Sequence, residues 1–233
     1  MFGDRRWARA SLDDEKSYEF SKILVAMNFD RKRLAGTMLS IGALQWFFGV
    51  MIAEGLHQGY NIATSQWIPY SNQIHYVSEL GLGSTAPIFN ISTIVLGLMV
   101  ALASYLLYLK DKKILFSVLL FTTGIGAIGV GIFPTDVQPT HGIFQLFALW
   151  FGAFSAILSW KKQGAPLSYI SAMLGIISFV TSIVFYPYLG LGANDMSTFL
   201  GLGKGVMERI VIYSLILWLL GYGYYVAGRT SES

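Results

Sequence analysis

Residues 87–109 read PIFNISTIVLGLMVALASYLLYL, a run without a single charge, and residues 110–113, KDKK, close it with three lysines. A bilayer core about 30 Å thick takes about 20 helical residues to cross. Strands of a membrane barrel alternate apolar and polar residues, and this run does not, so it reads as a transmembrane helix. Five further uncharged runs share its character, at 34–53, 114–133, 142–160, 167–186 and 210–227. The expected fold class is all-α: a polytopic membrane protein, a bundle of six transmembrane helices.

The lysines after residue 109 also set an orientation, because cytoplasmic loops collect Lys and Arg. Arg5, Arg6, Arg9, Lys16, Lys22, Arg31, Lys32 and Arg33 precede the first run. Lys161 and Lys162 follow the fourth, and Arg229 follows the sixth. Together with Lys110, Lys112 and Lys113 these place 14 of the 16 basic residues on one side. Only Lys204 and Arg209 fall on the other. N- and C-termini in the cytoplasm and a multi-pass place in the cell membrane explain this distribution.

Composition agrees. The 233 residues are 54% hydrophobic and 12% charged, with a mean hydropathy of +0.56, whereas soluble domains carry roughly 25% charged residues. The length suits one bundle, 34–228, flanked by a cytoplasmic segment, 1–33, and a short tail, 229–233. The net charge of +3 is no nucleic-acid footprint once its side of the membrane is known. With no cysteine, disulfides and thiolate chemistry are excluded. The first apolar run follows a polar segment far longer than the head of a signal peptide, so it reads as a permanent anchor. Within 1–33, Ser11 and Asp14 form a capping-box start, and Phe20, Ile23, Leu24 and Met27 follow helical spacing, as in a surface helix. Small residues four apart (Gly36 and Ser40, Ala127 and Gly131, Gly152 and Ala156, Ser171 and Gly175) mark close helix contacts.

The unusual residues lie on the outer side. All three histidines fall there, His57, His75 and His141, with five carboxylates, Glu54, Glu79, Asp136, Asp195 and Glu208. Ionisable groups at membrane depth are costly and mark functional sites by default. The loop from 56 to 86 carries one charge, Glu79, and the aromatics Tyr60, Trp67, Tyr70 and Tyr76, so it is expected to fold onto the bundle. Asn72 is placed to cap a short helix ending near Gly81 and Gly83, with His75 and Glu79 four apart on one face. Glu54 and His57 share a face at the end of the first span. Pro134 and Pro139 stiffen the turn that brackets Asp136 and His141. Glu208 lies four residues after Lys204, in reach of a pair, and Arg209 points elsewhere.

Two chemistries are open to this set. His57, His75 and His141 with Asp136 have the composition of a zinc site, three ligands and an open water position, though no HExxH or paired-histidine helix supports it. Alternatively, Asp136 and His141 act as an acid–base pair oriented by Glu79 and Glu208, with Arg209 on a lipid phosphate. Asn90-Ile91-Ser92 matches a glycosylation pattern but lies inside a span. Gly201-Leu202-Gly203-Lys204-Gly205 resembles a phosphate loop only superficially and reads as a flexible lead-in to the last span. No motif names a cofactor.

The order of motifs carries a resemblance. Tyr60-Asn61, Val77-Ser78-Glu79-Leu80-Gly81, Ile88-Phe89-Asn90 and Gly97-Leu98 are followed by Gly131-Ile132-Phe133-Pro134-Thr135-Asp136, then His141 and Glu208-Arg209. Over roughly 34–228 this resembles the prokaryotic membrane family known as domain of unknown function 998. Members often have two adjacent histidines where this chain has Thr140-His141. The resemblance implies a six-helix bundle and a shared polar set of Glu79, Asn90, Asp136, His141, Glu208 and Arg209, and no activity. The family is similar in outline to eukaryotic membrane proteins of lipid handling and autophagy, a fold-level analogy. The expected function is lipid handling, by binding or hydrolysis, in an outward-facing polar pocket built from Glu54, His57, His75, Glu79, Asn90, Asp136, His141, Glu208 and Arg209. The expected partners are the lipid bilayer and a bound lipid, without nucleic acid. A transporter or channel, and an assembly subunit, are the alternatives. The spans have no carboxylate halfway across, which counts against a proton path.

Overall fold

The computed structural model describes residues 30–57, 59–61, 66–68, 70–188 and 197–228. The surface helix expected within 1–29, Asp195, the tail 229–233 and the side chains of Tyr60 and Trp67 lie outside the described residues.

Six long helices carry the chain: α1 Arg31–Leu56, α2 Ala86–Asp111, α3 Ile114–Ile132, α4 Thr140–Ser159, α5 Leu167–Phe185 and α6 Lys204–Gly228. All six, with their short end turns, are long and apolar enough to cross a membrane. Between α1 and α2 lie a two-stranded hairpin, β1 Gly59–Asn61 with β2 Gln66–Ile68, and two 3-10 turns, Val77–Gly81 and Gly83–Thr85. A second small hairpin, β3 Thr198–Phe199 with β4 Leu202–Gly203, precedes α6.

Each helix packs on its sequence neighbours, and α6 returns to α1, so the six close a ring. A direct α4–α6 contact draws α5 to the outside. The two ends of the bundle differ in chemistry. At one end Asp111 of α2 receives Lys32 of α1 at 2.9 Å and Lys162 beyond α4 at 3.7 Å. At the other end the 70–85 segment covers the helices, with His75, Val77 and Leu80 fully buried.

Two helices extend beyond their apolar runs. α1 starts at Arg31 because the Asp30 side chain accepts from the Lys32 and Arg33 amides at 3.0 and 3.3 Å, a capping arrangement that satisfies first-turn donors. α6 starts at Lys204, well before the uncharged run at 210, because Glu208 and Arg209 are buried and paired.

Large apolar side chains face outward all round the ring, among them Phe48, Ile91, Leu115, Met173 and Leu217. In lipid these need no burial, and helices associate by close backbone approach instead. Glycine provides it. A Cβ on Gly97 would lie 2.6 Å from the Gly124 carbonyl, and one on Gly124 would lie 2.7 Å from the Ala101 nitrogen. Gly223 faces Gly36 and Ser40 across α1 and α6, and Gly175 meets the Ala153 carbonyl across α5 and α4. Gly124→Val is therefore expected to destabilise the bundle by about 1–3 kcal/mol through overpacking. Gly221→Val, where nothing lies within 4 Å, is the control. Thermal unfolding in detergent checks the pair, and equal melting temperatures would remove this reading of the α2–α3 contact.

Candidate functional site

The ionisable residues of the covered end form two groups. The first is centred on Arg209, near the start of α6. Its Nε and Nη2 both donate to Glu54 Oε1, at 3.0 and 2.5 Å. Nη1 donates to the carbonyls of Asn72, His75 and Gly205 at 3.2, 3.0 and 2.9 Å. Nη2 also reaches the Tyr70 hydroxyl and Asn72 Oδ1. The Arg209 and Glu54 side chains are only 8% and 12% exposed. A guanidinium has five N–H donors, and here they are committed to protein acceptors. Arg209 thus ties the 70–76 segment to α1 and α6, its donors taken by protein acceptors where a lipid phosphate was expected.

Around this hub the loop takes a shape that the sequence did not give away. The expected helix capped by Asn72 is replaced by a turn at 71–75 and the 3-10 turn Val77–Gly81, which Tyr76 precedes. Asn72 is used by Arg209 instead. His75 is fully buried in the turn, its ring stacked 5.2 Å from Tyr70. Its Nδ1 accepts from the Ser71 amide at 2.9 Å. His57 sets its ring edge against the same Tyr70 and places Nδ1 2.8 Å from Thr85 Oγ1. Burial lowers the pKa of both histidines, with the charge of His75 acting further on His57, and burial raises that of Tyr70.

Gly203 and Gly205 are also corrected. They are not a flexible lead-in, because loop backbone rests directly on them. A Cβ at Gly203 would strike the Gln73 carbonyl, and one at Gly205 the carbonyls of Asn72 and His75. The Gly205 and Gly203 amides donate to the Gln73 carbonyl and side chain, each at 3.0 Å.

The second group surrounds Glu208, which is fully buried. Its Oε2 accepts from the Val77 amide and its Oε1 from Gln145 Nε2 at 2.9 Å. Ser78, next in the chain after Val77, lies beside it. First-turn amides of a helix have no intrahelical acceptor, and no side chain at Tyr76 caps this turn. A carboxylate from α6 serves as the cap. Lys204 meanwhile lies over the Tyr76 ring, 5.0 Å from its centroid.

Glu208, Ser78, Gln145 and His141 form the polar end of a cavity of about 90 Å³. The remaining wall comes from α1, α2, α3, α4 and α6 and is apolar apart from Thr93 and Thr123; Trp46, Leu96, Val130 and Leu219 are among its members. Along α6 the lining runs from Glu208 to Leu219, about 16 Å at 1.5 Å per residue, roughly half of a 30 Å membrane.

The other expected residues lie elsewhere. Asp136 is exposed on the 133–140 turn, and His141 takes the Phe133 carbonyl, 2.7 Å from its Nδ1, rather than the Asp136 carboxylate. The acid–base pair is therefore not assembled. Asn90 donates to the Gly81 carbonyl at 3.2 Å and braces the second 3-10 turn. Among the described residues no three His, Asp or Glu side chains are grouped to hold a metal, so His57, His75, His141 and Asp136 are not brought together there as one set. The sequence reading missed Ser78, Thr93 and Gln145. The one signal for Gln145 was an amide in an otherwise apolar run.

Glu79 is half-buried between these groups, and burial pushes its carboxyl up to about 7, against the pull of the Tyr76 amide and Lys204. Its unfolded value is 4.5, so between about pH 4.5 and 7 the folded chain binds more protons than the unfolded one. Stability is then expected to fall as pH rises through that window and to level off above it. The loss is on the order of 1 kcal/mol after solvent screening. Glu79→Gln should flatten this slope in melting curves taken across the window, and an unchanged slope would assign it to other groups.

A family model described as "Protein of unknown function (DUF998)" matches residues 40–225. No curated protein and no solved structure matches the chain.

Proposed function

The chain belongs to this DUF998 family of membrane proteins, and from that starting point we propose that it binds the apolar chain of a lipid-like amphiphile between its helices. The observation that carries this is the cavity: lined by five helices, polar at one end only, and apolar along α6 from Ile212 to Leu219, about 10 Å. Apolar cavities exclude water and admit hydrocarbon. The polar end would hold the head, and the hydrocarbon would follow the wall past Thr93 and Leu96 towards Val100 and Leu219. With the basic loops in the cytoplasm, the head would sit towards the outer leaflet of the cell membrane. Binding rather than hydrolysis fits the chemistry, since Glu208 is committed to capping donors and His141 Nδ1 is taken by the Phe133 carbonyl.

Mass analysis of the protein purified from membranes tests this. One amphiphile per chain is expected to co-purify with the wild type. The double variant Val100→Phe, Ala127→Phe fills the wall and is expected to lose it while melting at or above the wild-type temperature. If no amphiphile accompanies the wild type, or the filled variant retains it in full, chain binding in this cavity is wrong.

A further inference from the structure

The head of that amphiphile is constrained by which polar atoms at the end of the cavity are still free, an inference that rests on the chain-binding reading above. His141 is 1% exposed and lines the cavity. Its Nδ1 lies 2.7 Å from the Phe133 carbonyl oxygen. A carbonyl can only accept, so Nδ1 carries the hydrogen and, in the neutral ring, Nε2 presents a lone pair. That Nε2 is buried and has no hydrogen-bond partner among the described residues. Glu208 offers no comparable vacancy. Both of its oxygens already accept, Oε2 from the Val77 amide and Oε1 from Gln145 Nε2.

We propose that the cavity selects an amphiphile whose head is an uncharged hydroxyl, as in a long-chain alcohol or a monoacylglycerol, donating its hydrogen to His141 Nε2. The alternatives fail on pairing. A phosphate or carboxylate head brings acceptors to a lone pair, and among the described residues no Lys or Arg lines the cavity. Arg209, the nearest guanidinium in sequence, is held by Glu54, Tyr70 and the loop carbonyls. An ammonium head brings three donors to one free acceptor and would bury the others unpaired. A hydroxyl brings one donor for one acceptor and leaves no charge to desolvate.

Amphiphiles of one chain length, brominated on the chain, provide the test. The heads compared are a primary alcohol, a monoacylglycerol, a carboxylate, a phosphate monoester and a primary amine. Trp46 lines the cavity, so quenching present in the full-length wild type and absent from Trp46→Phe reports occupancy. The two hydroxyl heads are expected to bind at least about tenfold tighter than the two anions and the amine, a difference of about 1.4 kcal/mol and within the worth of one buried hydrogen bond. His141→Phe should erase that preference while leaving the weaker binders unchanged. Equal affinity across the series, or tighter binding of the phosphate, carboxylate or amine, would overturn the hydroxyl assignment and leave chain binding standing. Absence of Trp46 quenching by every head overturns both.

Discussion

Arg209→Met is expected to be the most damaging substitution in the covered end, lowering stability by about 3–5 kcal/mol. Removing one partner of a buried ion pair leaves the other charge uncompensated, and here that charge is Glu54, 12% exposed on its side chain. The same change strips the carbonyls of Asn72, His75 and Gly205 of their donor. Arg209→Lys should rescue little, because an ammonium cannot span acceptors on three segments as a planar fork does. Chemical denaturation in detergent measures the size, and limited proteolysis within 70–85 shows where the structure loosens. The double variant Arg209→Met, Glu54→Leu should recover part of the loss by removing the orphaned charge. A loss below about 1 kcal/mol for Arg209→Met would mean the pair behaves like an exposed surface bridge.

The second large effect is expected at Glu208. Glu208→Leu keeps approximate volume but leaves the Val77 amide and Gln145 Nε2 buried without their acceptor. Each unsatisfied buried donor costs about 1–3 kcal/mol, and partial rearrangement should leave a net loss of about 3 kcal/mol. Glu208→Gln retains one acceptor oxygen and should lose roughly half as much. The signature that separates a cap from a general packing role is local. Amide exchange at Val77 and Ser78 should accelerate by more than the global stability change predicts, while exchange in α3 follows global stability. Uniform acceleration would make Glu208 a packing residue only.

How much of this was legible differs between fold and site. The six spans are written in uncharged runs because lipid admits no compromise on helix hydrogen bonding, and the charge signals at their ends mark the boundaries well. Hydropathy stops at charges, however, and so ended the sixth run at 210, whereas α6 passes through Glu208 and Arg209 back to Lys204. Those charges survive burial only because partners far away in sequence neutralise them, and Glu54 lies 155 residues from Arg209. No local pattern encodes such a pairing.

At the site, the sequence placed the histidines and carboxylates at one end of the bundle. It could not say which of them face each other. Asp136 and His141 are five apart across a proline-stiffened turn, yet the backbone carbonyl of Phe133 takes the imidazole. Ser78 and Gln145 carry no charge, so they stayed hidden among apolar neighbours until Glu208 gathered them. The glycines before α6 read as freedom and are the reverse, positions where one backbone lies on another.

The most direct measurement is a density map of the protein purified from its membrane without added lipid. It should show one elongated feature between α1, α2, α3, α4 and α6, running from Ser78, His141 and Glu208 past Thr93 and Leu96 towards Leu219, with its head within hydrogen-bond distance of His141 Nε2. A cavity holding only ordered water, or closed by inward movement of α4 on α6, would contradict a bundle built to hold an amphiphile.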